Sequence, residues 1–455
     1  MCGKIRQILS GLRIWLHVLG CRSNIYDGEA LSEALTAMGA EVSSSPPEDG
    51  KCAVAVVVSC SVTSTADKKC RQAVRRARRA VGESGVVAVC GCWAQGLSAD
   101  EAKRLSINLL AGSRNKSALV TNAAALARAL DGGGKTFDDL RNETAAPEWD
   151  CLGIFSASTA RHTRVFIKVQ EGCGRFCSYC AIPLLRGSPA SRPIDDVVAE
   201  VRRVVEPVTG LEPVTGRTQG REVVLTGVNL GAHDSLAELI LRVSEVPGLA
   251  RLRLGSLEPF ALDDRLLDAL ASSAVFCPHL HLPMQSGDDG VLARMRRGYT
   301  ADGFLRLCDR ARERLGDDLH VSTDVLVAFP GEDEAAFRRT LSVMERAALG
   351  RVHVFPYSPR PGATVVGDPV PRSVAAERAA EALALGARLL NRYAGAFVGR
   401  RVSVLAEKDP LRGYSRHFVS VRLANTSGVS KARVSDIIEA DVTECSNGTL
   451  LAFPV

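Results

Sequence analysis

"RVFIKVQEGCGRFCSYC", residues 164–180, reads as a strand that runs straight into a loop carrying three cysteines. Val165, Phe166, Ile167 and Val169 make a short β-prone apolar run, and Gly172 closes it. Cys173, Cys177 and Cys180 follow with no fourth cysteine nearby, whereas a closed zinc site takes four ligands. A Cys-x3-Cys-x2-Cys loop can instead wrap three corners of a [4Fe–4S] cluster, because thiolates hold such clusters and the short spacing lets one loop reach three irons. The fourth iron then stays open to a ligand. A zinc site completed by a distant His or Cys, or a set of buried structural cysteines, is the competing reading.

Downstream the strand pattern recurs. "REVVLTG", "RLRLGS", "HLHLPM", "LHVSTDVLVAF" and "RVHVFPY" join "RVFIKVQ" as strand candidates, most of them separated by helix-like segments such as "IDDVVAEVRRVV". Six β/α units with right-handed crossovers predict a partial (β/α)6 barrel over 161–394, with chemistry at the carboxyl ends of its strands. The three-cysteine loop follows the first strand and so sits at that face. A tandem EPVTG copy at 206–220 falls between a helix and the next strand, where insertions are tolerated.

Upstream, over 11–125, strand, loop and helix alternate three times. "RIWLHVLG" ends at Cys21, "AVAVVVS" at Cys60 and "VVAVCG" at Cys92. Short apolar runs alternating with helices predict a doubly wound α/β domain with a parallel sheet. All three cysteines then follow carboxyl ends of strands, the edge where open α/β sheets bind ligands, so residues far apart in sequence meet in one place. Cys90 lies two residues before Cys92 and competes with it. Residues 126–160 lack a clear period, carry turn formers and read as a linker. The last stretch, 395–455, holds short alternating strands with Gly, Asn and Ser turns, which predicts a small OB-like β-barrel.

Composition sets the frame. The chain has 455 residues, room for two or three domains, and a net charge of +6 that permits a polyanionic partner. No apolar run approaches the roughly 20 residues needed to span a bilayer, so no membrane association is expected. Lys4, Arg6 and Arg13 interrupt the first segment, which lacks a small-residue cleavage site, so no signal peptide is read and a cytoplasmic location is expected. Fourteen cysteines in such a chain point to metal binding, because cytoplasmic thiols stay reduced. Cys2, Cys52, Cys70, Cys151, Cys277, Cys308 and Cys445 lack metal spacing and read as small apolar fillers.

The loop at 173–180, with Tyr179 before its third cysteine, resembles that of the radical S-adenosylmethionine enzymes. Nearly the whole chain is similar to one of their families, the methylthiotransferases. The blocks "LGCRSNIYDGEAL", "SCSVTSTADKK", "VCGCWAQG", "EGCGRFCSYCAIPLLRG", "LTGVNLG", "CPHLHLPMQSG", "TDVLVAFPGE" and "HVFPYSPRPG" match that family's blocks in order. "GCWAQ" favours Cys92 over Cys90. The resemblance implies two [4Fe–4S] clusters, one on Cys173, Cys177 and Cys180, the other on Cys21, Cys60 and Cys92, and a TRAM-like RNA-binding tail. It also implies two molecules of S-adenosylmethionine per turnover, a radical that takes hydrogen from the substrate, and an electron donor and a sulfur source as partners. The targets of the family are an adenosine beside the tRNA anticodon, bearing a threonylcarbamoyl or an isopentenyl group, and an aspartate of a ribosomal protein. The blocks look most like the threonylcarbamoyladenosine group, whose pattern the chain leaves at Ser59 and Cys90.

Other positions are read from placement. Thr226, Gly227, Glu258, Gln285, Ser286 and Asp324 fall near the strand ends, and with Tyr179 they are candidates to contact S-adenosylmethionine, or else caps and turn residues. Lys68, Arg71, Arg75, Arg78 and Arg79 form one basic stripe on the helix after Cys60, a solvated face or an RNA contact for an anticodon stem-loop. A non-catalytic iron–sulfur RNA-binding or redox-sensing protein is the rival of another class.

Overall fold

The structure, a computed structural model, describes residues 9–46, 53–122, 126, 129–142, 149, 163–205, 222–407, 409–425 and 433–455. The EPVTG copies and Cys2, Cys52 and Cys151 lie outside these residues.

A six-stranded parallel sheet opens the chain: β1 (Arg13–Val18), β2 (Glu41–Ser43), β3 (Val54–Ser59), β4 (Val86–Gly91), β5 (Leu109–Leu110) and β6 (Asp138–Asp139), ordered β2-β1-β3-β4-β5-β6. Helices cover both faces, which is why β3 is a valine run. Val54, Val56 and Val58 enter one core, and Ala55 and Val57 the other. Strand order reverses between β1 and β3, where open α/β sheets form their binding crevice. Cys21 and Cys60 follow those two strands, and Cys92 opens the short helix Cys92–Gly96 after β4.

The linker expected from 126 starts too early. Leu126, Ala129 and Leu140 join the first core, β6 extends the sheet, and Arg141 donates to the carbonyls of Gln95 and Leu97. This domain therefore reaches Asn142. Strands of two residues are too short to show a period, so the sequence there reads as loop.

Next comes an arc of parallel strands. β7 (Arg164–Glu171) carries the short antiparallel β8 (Ala190–Ser191) on its end, and β9 (Glu222–Gly227), β10 (Arg251–Leu254), β11 (His279–His281), β12 (His320–Val327) and β13 (Arg351–Pro356) follow. Bridges Leu252↔Phe276 and Ser256↔His281 join the two hydrogen-bonded groups into one partial barrel. Val165, Ile167, Val169, Leu252, Leu280, Val321 and Val325 pack outward against the helices. Alternation leaves Phe166, Lys168, Arg253, His281 and Asp324 on the lumen side. Helix Arg22–Ala37 of the first domain packs against β7 and β9.

The tail is a closed barrel of β14 (Arg401–Glu407), β15 (Asp409–Ser415), β16 (Ser420–Leu423), β17 (Ile437–Ser446) and β18 (Thr449–Pro454). It plugs the amino ends of the arc strands. Arg251 donates to the carbonyl of Ser403 at 2.8 Å and Arg253 to that of Ser415 at 2.9 Å. Phe418 packs against His279 at 4.8 Å, with the Arg164, Arg253 and Arg351 guanidiniums 4.9, 5.1 and 5.4 Å from its ring centre. The tail thus sits at the end opposite the cysteine loop. No helix among the described residues is long and apolar enough to cross a membrane.

Candidate active site

Cys173, Cys177 and Cys180 sit at the carboxyl end of β7, all half-exposed. The Cys173 N–H donates to the Gly187 carbonyl at 3.0 Å and the Cys180 N–H to the Cys177 carbonyl at 3.0 Å, so backbone hydrogen bonds shape the loop. A donor faces each sulfur. Asn229 Nδ2 stands 3.8 Å from Cys173 Sγ, Arg297 3.3 Å from Cys177 Sγ, and the Ile182 N–H 3.5 Å from Cys180 Sγ. Arg297 is itself held by Glu258 at 2.5 Å and by Tyr299 OH at 3.0 Å. Such donors stabilise thiolates and tune a bound cluster. Burial acts the other way and pushes the Cys180 thiol up to about 12. A metal must supply the free energy to deprotonate it.

The second trio assembles at the sheet's switch point. Asn24 Nδ2 donates to the carbonyls of Leu19 (2.6 Å) and Ser59 (3.0 Å), tying the ends of β1 and β3 together. Gly20 (φ +106°) lies so close that a Cβ there would stand 2.5 Å from Cys60 Cβ. Burial pushes the Cys60 thiol up to about 11, the Val62 N–H opposes this, and Cys21 and Cys92 push it further up. The three sulfurs therefore lie within electrostatic reach of one another. Cys21 is exposed and the other two are buried. Cys90 packs inside the first core with Leu16 and Val58, which leaves Cys92 to face the site. Among the described residues no three His, Cys, Asp or Glu side chains converge where a single ion would sit. Three thiolates on three corners of a cube do not need to. Both thiol sets, each with outward access and donors to sulfur, fit a cluster.

A buried network joins the two trios. Arg186, from the helix Ile182–Arg186 just after the cysteine loop, places Nε 2.8 Å from Cys92 Sγ. Its other nitrogens donate to Glu171 Oε1 (2.5 Å) and Asn24 Oδ1 (2.8 Å). Lys168 bridges Glu171 (2.9 Å) and Asp27 (2.5 Å), and Lys116 reaches Asp27 at 3.2 Å. Breaking one partner of such a buried pair costs about 3–5 kcal/mol, which locks the two domains in register.

With this geometry in view, the comparisons are direct. Residues 13–112 match the uncharacterized protein family UPF0004, and residues 167–344 match the radical SAM superfamily. Over 444 residues, 94% of this chain and 96% of the relative, the chain is 34% identical to the threonylcarbamoyladenosine tRNA methylthiotransferase MtaB of Thermotoga maritima. The chain belongs to the radical SAM methylthiotransferase family. Among solved structures, this methylthiotransferase is similar to the radical S-adenosylmethionine methyltransferase TsrM of Kitasatospora setae. The TM-score is 0.55 over 76% of this chain and 75% of that one, at 15% identity. The radical enzyme OxsB gives 0.50 over 82% of this chain and 55% of its own, at 10% identity. At these identities the likeness is one of fold.

The expected contact residues divide. Tyr179 packs edge-on against Phe329 (6.4 Å), and its hydroxyl receives Arg297 at 3.5 Å. Gly227 ends β9 where a Cβ would come within 2.8 Å of Gln170 Cβ, and Thr226 is buried beside it. Gln285 (φ +66°) bridges to Val325, and Asp324 turns into the lumen, 3.3 Å from His281 Nε2. Ser286 is a correction. Its side chain is buried against Thr340 Oγ1 (3.2 Å) on an outer helix and accepts the Asp288 N–H, which makes it a turn residue.

In the basic stripe, Lys68, Arg75 and Arg79 are exposed. Arg71 pairs with Glu101 at 3.1 Å. Arg78 instead holds backbone, donating to the carbonyls of Gly82, Gly85 and Ser106, and drops out as a free contact. Cys70 is more than filler: its Sγ accepts the Cys60 N–H at 3.3 Å. Sequence reasoning missed Arg186, Glu171, Asn24, Arg297 and Arg360, the last of which clamps Asp67 and Ser61 beside Cys60. One available signal was Arg186 itself, a single charge in the apolar run "AIPLLRG" directly after the loop.

Proposed function

We propose that this methylthiotransferase converts N6-threonylcarbamoyladenosine beside the anticodon of tRNA into its 2-methylthio derivative. Cys173, Cys177 and Cys180 hold one [4Fe–4S] cluster, and Cys21, Cys60 and Cys92 hold the second. The observation that supports this reading is the path of Arg186, which leaves the first cysteine loop and ends on the Cys92 thiol, so that the two trios are linked through one buried side chain. The relative's substrate supports the choice of threonylcarbamoyladenosine. A cluster held by Cys173, Cys177 and Cys180 would supply the electron for reductive cleavage of S-adenosylmethionine, and one held by Cys21, Cys60 and Cys92 would offer a seat for the inserted sulfur. The chain's own residues bind and orient. Thr226, Gly227, Glu258, Gln285 and Asp324, at the carboxyl rim of the arc, and Tyr179 position S-adenosylmethionine, two molecules being used per product. Helix Arg22–Ala37, packed against β7 and β9, joins the first domain to the arc beside this rim. Exposed Lys68, Arg75 and Arg79 offer charge to the phosphates of the anticodon arm. An electron donor and a sulfur source complete the reaction.

The roles separate experimentally. Replacing Cys173, Cys177 or Cys180 by Ala abolishes release of 5′-deoxyadenosine. Replacing Cys21, Cys60 or Cys92 leaves reductant-dependent release intact and removes the methylthio product. Loss of release in the second set, with the first cluster still loaded, contradicts this division.

A further inference from the structure

We propose that Arg186 is a positioning residue for the N-terminal cluster: supplied by the barrel domain, it anchors the Cys92 thiolate and sets that cluster's reduction potential. The proposal rests on the assignment of Cys21, Cys60 and Cys92 as cluster ligands.

The geometry leaves Arg186 no slack. Its side chain is 2% exposed, and its three nitrogens are assigned to Cys92 Sγ, Glu171 Oε1 and Asn24 Oδ1 at 2.8, 2.5 and 2.8 Å. A planar guanidinium with every edge engaged is a fixed charge rather than a mobile one. Around it, the ion pairs of Lys168 and Lys116 with Asp27, and of Lys168 and Arg186 with Glu171, fix the network in place. The Arg186 guanidinium presents its Nε directly to the Cys92 sulfur at 2.8 Å. Away from water such a charge acts strongly over short distances, and hydrogen bonds to ligand sulfur are among the levers that set cluster potentials.

Reduction adds negative charge beside Arg186, so the guanidinium favours the reduced state. Removing it lowers the potential. Neutralising Glu171 has the opposite sign, because Arg186 is then less compensated. The second site is also incomplete unless the two domains are docked, which couples loading of this cluster to the interface.

The test uses the full chain with Cys173, Cys177 and Cys180 all replaced by Ala, so that only the N-terminal cluster remains, titrated redox-step by redox-step with detection by electron paramagnetic resonance. R186M should shift the midpoint potential down, R186K should fall between it and the parent, and E171Q should shift it up. A purely structural role would lower iron content in R186M and E171Q alike without opposite shifts, and would overturn the proposal. So would unchanged potentials. If R186M does not fold, E171Q and R186K still decide the sign. A parent chain without iron would overturn the cluster assignment itself, and the proposal with it.

Discussion

At Gly20 the chain has room for a hydrogen and nothing more, because its φ of +106° and the Cys60 side chain exclude a Cβ. G20A should push Cys60 out of place and remove the iron of the N-terminal site, while cleavage of S-adenosylmethionine at the barrel loop persists. Iron analysis and assay of 5′-deoxyadenosine check both halves. The thiols also predict a pH effect. Burial raises Cys60 to about 11 and Cys180 to about 12, so they are protonated near neutrality and each ligation releases a proton. Iron uptake by the apo chain should therefore increase from about pH 7 to about pH 9. Equal loading at both would contradict this. The placement of the six candidate cysteines was legible from loop spacing and strand ends, with the block "GCWAQ" deciding for Cys92 over Cys90. Arg186 and Glu171 were not, since a buried cation and its carboxylate are indistinguishable in one sequence from a surface pair until the fold brings them together.

At the scale of elements, legibility followed length. Each arc strand and the long tail strands announce themselves by alternation, whereas β5, β6 and β8 have two residues each and no period to read. In the tail, β15 carries Pro410 and Gly413, residue types that strands disfavour, and so shows no strand pattern in the sequence. The docking of the tail was also invisible in sequence, and it makes two predictions. Phe418 is 9% exposed in its ring of arginines and His279, so F418A should cost about 3–5 kcal/mol. The result is a lower unfolding temperature with iron content unchanged. His320 lies in the same seam, its Nδ1 donating to the His417 carbonyl at 2.6 Å and its ring stacked on Tyr393. Burial lowers its pKa from 6.5 to about 3. A group depressed in this way adds stability that is complete above its unfolded value and is lost as pH falls through the folded one. Stability should thus decline as pH drops from about 6.5 towards about 3, and H320Q should flatten that decline in thermal melts.

Across the whole molecule, two ligand-binding edges face each other. The carboxyl ends of the first sheet and of the barrel strands meet at the buried network of Asp27, Lys116, Lys168, Glu171 and Arg186, while the tail closes the far end. On the proposed assignment this arrangement brings both cysteine trios to the same side of the molecule, linked through Arg186. Substrate choice rests on the blocks shared with the threonylcarbamoyladenosine group and on a relative 34% identical over 94% of the chain. The most direct measurement is mass spectrometry of tRNA nucleosides from cells with and without this gene. Selective loss of 2-methylthio-N6-threonylcarbamoyladenosine, with the unmethylthiolated nucleoside accumulating, is the predicted result. Its persistence, with loss instead of the methylthio-isopentenyl nucleoside or of the modified ribosomal aspartate, would contradict the account.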